Sequence, residues 1–192
     1  MNLNEVNPSK IGAACLFVNG IILLFYALIV PAFVQGVHWL ITLVAILFIV
    51  AIPAIYQSIR RVHRVAAKVI AVLFAIAKVA IIVSDLLLAS SFLTTSSLYL
   101  TYGLGNALFA FSVLIIGLVA LKGGFHRWVA YLSIVTGLIG LIVIGVVGLL
   151  ITGVVGLATY LRQASGPLAT LSLLLLGLWS LAVGFNIRKL NK

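Results

Sequence analysis

Stretches of about 20 apolar residues follow one another along this chain, broken by short polar segments, several of them basic. A helix rises 1.5 Å per residue, so each stretch spans the roughly 30 Å of a bilayer's hydrocarbon core. In that medium every backbone amide must find its partner inside the protein, which leaves helices or a closed β-barrel. Barrel strands alternate polar and apolar residues, and these runs do not. With 65% hydrophobic and 7% charged residues, the chain also lies far from the roughly 25% charged residues of soluble domains. The expected fold class is all-α: a polytopic transmembrane helix bundle forming one domain over residues 1–192.

Six spans are expected, over about 11–34, 39–56, 69–93, 100–121, 128–150 with an extension to 164, and 167–187. Lys10, Arg60, Arg61, Arg64, Lys68, Lys122, Arg127, Arg188, Lys189 and Lys192 then fall on one side of the membrane, and Arg162 alone on the other. This bias predicts that both termini face the cytoplasm of a multi-pass cell-membrane protein, most simply a prokaryotic one. The +10 net charge therefore reads as orientation and contact with anionic lipid head groups, above all at Arg60, Arg61, Arg64 and Lys68, and not as nucleic-acid binding. Trp39, Tyr99, Tyr102 and Tyr160 near one boundary, and Tyr56, Trp128 and Tyr131 near the other, would form interfacial belts.

From residue 128 to 164 nothing breaks the apolar pattern until "SGP" at 165–167. A straight helix of that length would measure about 55 Å. It is expected to tilt, bend, or lie along the interface beyond residue 150. Glycines 137, 140, 145, 148, 153 and 156 suit close helix packing, and could serve a membrane partner or a second copy of the chain. "GVHW" (36–39) and "GFHRW" (124–128) hint at a 3+3 inverted repeat, an arrangement used by small transporters.

The residues that could carry chemistry are few. Lys78 and Asp85 lie inside the third span, in "AKVAIIVSDLLLASS" (77–91). They share a helical face with Ala71, Ala75, Ile82 and Ala89, and a charge facing lipid costs several kcal/mol, so this face is expected to point inward. Seven residues separate the two charges by about 10.5 Å. Side chains lean toward the helix N-terminus, so Lys78 points away from Asp85. Matching depth pairs Asn19 with Lys78, and Asn106 with Asp85. Such a set is either an ion- or substrate-binding site or a polar clamp between helices. His38, His63 and His126 sit in connections with no carboxylate beside them, and Cys15 is the only cysteine. No metal-ligand cluster, cofactor motif or activated nucleophile is legible, so no enzyme activity and no cofactor is expected.

Two stretches, "LKGGFHRWVAYLSIVTGLIGL" (121–141) and "LLLGLWSLAVGFNIRKL" (174–190), resemble a family of bacterial and archaeal six-span membrane proteins known only as a domain of unknown function. Trp179, Gly184 and Phe185 match its closing span. The resemblance implies six-span topology and carries no activity. On the residues alone, the first expectation is a non-enzymatic accessory or packing component of the membrane. The alternative is a small-solute, ion or proton transporter. A dry core would favour the first and a cavity reaching the charged residues the second.

The charge bias makes a topological prediction. A reporter fused after Lys192 should be active only on the cytoplasmic side, and one inserted at Arg162 only on the other. A C-terminus on the outer side would refute six spans.

Overall fold

The computed structural model describes residues 8–29, 38–89, 95–151 and 158–190. They form six helices: α1 Pro8–Ile29, α2 His38–Arg60, α3 Arg64–Ala89, α4 Thr95–Ala120, α5 Arg127–Ile151 and α6 Ala158–Leu190. Each is long and apolar enough to cross a membrane, and the described residues contain no strand. The protein is thus an all-helical, multi-pass membrane bundle.

Two short turns are fixed by local chemistry. After α2, the N–H groups of Val62 and His63 donate to the Ile59 carbonyl at 2.9 and 3.0 Å. His63 Nδ1 accepts the Ala66 N–H at 3.1 Å, capping α3 and satisfying one of its otherwise unpaired amides. After α4, Gly123 and Gly124 take φ of +133° and +89°, values that residues with a Cβ rarely adopt. Lys10, Arg60, Arg64, Lys68, Lys122, Arg127, Arg188 and Lys189 all gather at this end of the bundle, here called the basic end.

Each helix packs antiparallel on the next, and α6 closes on α1. Small residues allow the close approaches. A Cβ on Gly20 would lie 2.8 Å from the Gly177 carbonyl, and one on Gly177 would lie 3.1 Å from the Gly20 carbonyl. On the α4–α5 seam a Cβ on Gly117 would meet the Ala130 carbonyl at 2.8 Å, and one on Gly137 would meet Leu114 backbone at 2.6 Å. Ser9 Oγ donates to Gln57 Oε1 at 2.6 Å, tying α1 to α2 at the basic end. Gly137 and Gly140 of α5 therefore serve packing within the chain, a Cβ on Gly140 meeting that of Ala110 at 2.9 Å. A Cβ on Gly145 or Gly148 would meet nothing within 4 Å, and Gly153 and Gly156 lie outside the described residues.

The α3 helix shows how one sequence faces two environments. Val69, Val72, Ile76, Val79, Val83 and Leu86 are exposed on the surface that meets lipid, whereas Ala67, Ile70, Phe74, Ala77, Lys78, Ile81, Ser84 and Asp85 are buried. Both charges turn inward. Ala71, Ala75 and Ile82 are only half-buried, so the inward face centres on Phe74 and Ile81, slightly rotated from the expected stripe.

The expected extension of span 5 to residue 164 falls in part on residues 152–157, which lie outside the described residues. The α5 helix ends at Ile151, and residues 158–164 open α6. At 25 residues, α5 is about 37 Å long and crosses a bilayer with modest tilt. Pro167, in the segment expected to end the apolar run, is the tenth residue of α6. Proline removes one amide donor, a loss that membrane helices accommodate through local adjustments. Pro53 likewise lies inside α2.

The contrast between glycines is testable. Gly137→Ala should lower the thermal midpoint of the purified protein, because overpacking costs about 1–3 kcal/mol. Gly145→Ala should leave it unchanged or raise it, since alanine favours a helix by about 1 kcal/mol. Equal effects at the two positions would contradict the packing.

Candidate functional site

Lys78 lies about 21 Å along α3 from Arg64 and about 16 Å from Ala89, near the middle of the helix. It is only 3% exposed. Its Nζ stands 3.3 Å from the centroid of the Phe109 ring and 4.4 Å from that of Phe48. Among the described residues its neighbours are ring faces and not a carboxylate. The expected Asn19–Lys78 pair is not formed: both amide atoms of the fully buried Asn19 lack a hydrogen-bond partner. The lysine reaches α2 and α4 instead, where aromatic quadrupoles attract the ammonium.

Those rings belong to a cluster drawn from four helices. Phe48 of α2, Phe74 of α3, Phe109 of α4 and Trp179 of α6 have mutual centroid distances of 4.9 to 6.4 Å. Trp179 is fully buried. Its Nε1–H donates to Ser133 Oγ at 2.7 Å, and Ser133 Oγ donates to the Val129 carbonyl at 2.7 Å. A buried indole N–H thus has its partner, and the ring orientation is fixed from α5. On the basic side of this cluster the interior is closed by Leu16, Ile59, Ile70, Ile116, Val129 and Ile187, all 2% exposed or less.

On the other side lies a cavity of about 590 Å³ with lining residues from all six helices. Lys78 and Phe109 form part of its inner wall. Most of the wall is aliphatic, including Leu23, Val44, Ile81, Val143 and Leu176, and its polar groups are Tyr26, Lys78, Asn106, Thr136 and Ser172. Thr136 is 4% exposed, and its Oγ1 has no hydrogen-bond partner. Glycines 103, 140 and 148 help to make the space.

Asp85 is 8% exposed and is not among the described lining residues. The Thr42 hydroxyl of α2 donates to its Oδ2 at 2.9 Å. Asn106, expected near Asp85, lines the cavity. Lys78 and Asp85 both engage α2, at different depths: Lys78 lies over Phe48 and Asp85 is held by Thr42. Arg60, Arg61, Arg64 and Lys68 are exposed at the basic end. Among the described residues no group of three or more His, Cys, Asp or Glu side chains could hold a metal.

Sequence reasoning missed Thr42, Thr136 and the aromatic cluster. Thr42 escaped the depth match because the expected spans 39–56 and 69–93 put it three residues in and Asp85 eight; only the observed bounds of α2 and α3 bring both to four. The inward rings of Phe48 and Phe109 carried no signal of their own, because phenylalanine is at home on either face of a membrane helix.

No family model, curated protein or solved structure matches this chain, so its functional reading rests on its own geometry.

The Thr42–Asp85 bond joins α2 to α3 and can be measured. Thr42→Val and Asp85→Leu, combined in a double-mutant cycle, should show a coupling of about 1 kcal/mol, the scale of interhelical bonds in bilayers. Additive effects would contradict the contact.

Proposed function

We propose that this chain is a six-span membrane protein that takes a small solute into the space between its helices, as a carrier or binding protein and not as an enzyme. The observation that supports it is the roughly 590 Å³ cavity with a lysine amine on its inner wall. Ligand sites fall in the range of about 300–1,000 Å³, mostly apolar with a few converging polar groups. A component that only packed against other proteins would have no use for such a space, nor for a buried lysine with only ring faces beside it. This reading moves the candidate site from Asp85 to Lys78, Asn106 and Thr136, and gives Asp85 and Thr42 the role of a clamp at the cavity's flank.

The orientation follows the basic bias. We place the basic end and both termini in the cytoplasm, Arg60, Arg61, Arg64 and Lys68 against anionic lipid heads, and the cavity in the outer half of a cell membrane. The halves α1–α3 and α4–α6 start from opposite ends of the bundle, the reversal an inverted repeat requires. An up-and-down ring of six supplies that reversal whatever its ancestry. A partner seated on α5 would meet the exposed face of Val135, Leu138 and Ile142.

Cysteine accessibility tests the solute space. In a Cys15→Ala background, Ser172→Cys and Ala107→Cys should react with a small membrane-impermeant thiol reagent in proteoliposomes. Ala51→Cys, buried on the basic side, should be protected. Equal protection of all three would return the protein to a packing role.

A further inference from the structure

The inner end of the cavity is chemically one-sided. Lys78 is more than nine-tenths buried and rests on two ring faces. Ring faces return to a desolvated ammonium only part of what is lost when such an ion is taken out of water. An anion would complete the site. Thr136 presents an equally buried hydroxyl without a partner. Its depth is set by its neighbours on α5: Ser133 below it holds Trp179 of the aromatic cluster, and Gly140 above it packs on Ala110, next to Phe109. Thr136 therefore lies close to the level of the rings that carry Lys78.

The remaining wall is largely aliphatic. At about 30 Å³ for a water-sized group, the cavity holds on the order of 20 non-hydrogen atoms. That is one acyl chain with its head, and well short of a two-chain phospholipid. A bare inorganic anion would leave most of the apolar wall without contacts.

We propose that the cavity binds a single-chain amphiphile with a carboxylate head, the head seated on Lys78 Nζ and the chain along the aliphatic wall. This deepens the solute reading above and rests on it. Lys78 supplies charge-assisted hydrogen bonds to the carboxylate, and Thr136 lies at about the same depth on α5. The aromatic floor stops the head from travelling further toward the basic end. A long-chain alcohol of equal length keeps the chain contacts and loses the ion pair.

The test uses the full chain in phosphatidylcholine nanodiscs, with empty nanodiscs as background, titrated with radiolabelled palmitate and with hexadecanol. Palmitate should bind at least about tenfold more tightly than hexadecanol, the scale of a charge-assisted contact in a dry site. Lys78→Met should abolish that preference while leaving hexadecanol binding unchanged. This variant removes a buried charge while keeping an apolar stem, so it should fold at least as well as the parent. Gly103→Leu, at a lining position where a Cβ would meet nothing within 4 Å, should weaken both ligands by occupying the space.

If palmitate and hexadecanol bind equally and Lys78→Met changes neither, the carboxylate assignment is wrong and the solute cavity survives. If neither ligand binds, the proposal fails, and cysteine labelling of Ser172 and Ala107 separately decides the fate of the solute reading. Palmitate affinity should be the same in nanodiscs containing phosphatidylglycerol. A large loss there would assign the site to a phospholipid head and overturn the proposal.

Discussion

Closing six helices into a ring leaves an axis that no backbone occupies. Neighbouring helices pack with axes about 8–10 Å apart, and in a regular hexagon the centre is as far from each axis as the neighbours are from one another. A seventh helix of about 10 Å diameter would fit there. The chain has none to offer, so side chains must fill the axis or leave it open. It does both. Phe48, Phe74, Phe109 and Trp179 fill it near mid-depth, α2 leans across to touch α4 and α6, and aliphatic side chains complete the basic half. Beyond the rings, the small residues Gly103, Ala107, Gly140 and Gly148 leave it open.

That division gives Lys78 its meaning. A lysine at mid-depth facing lipid would cost several kcal/mol, and one inside a fully packed core would fare little better. At the boundary between ring cluster and cavity it has attractive faces on one side and room on the other. The glycine contacts on the α1–α6 and α4–α5 seams hold the ring closed. The Trp179–Ser133 bond fixes the largest piece of the floor. Asp85 is held at the flank by Thr42, too far along α3 to neutralise the amine. The geometry that closes the ring thus also isolates a cation beside apolar space.

The architecture was largely legible in the sequence, since a bilayer dictates the helix length and most of the chain's charges fall at the ends of the spans. Lys78 and Asp85 could be turned inward because charge has only one tolerable side in lipid. What escaped was whatever depends on apolar faces that look alike. Nothing in the sequence marks Phe48 and Phe109 as inward and Phe25, Phe111 and Phe185 as outward, because each is equally soluble in lipid and in protein; only Phe74, one turn before Lys78, shares a face that charge turns inward. The cavity was equally hidden: it is made by small side chains on several helices, and no local pattern records that they face one another. Pro167 misled for a related reason, as a residue that stops helices in water is carried inside α6.

The central claim is that an amine stands where the ring's axis changes from filled to open, and the most direct measurement is an experimental density map of the protein in lipid nanodiscs, read around Lys78. The account predicts Nζ over the faces of Phe109 and Phe48, Trp179 bonded to Ser133 beneath, and a space on the open side bounded by Asn106, Thr136 and Ser172. A lysine extended toward the basic end, with aromatic rings collapsed across that space, would contradict it.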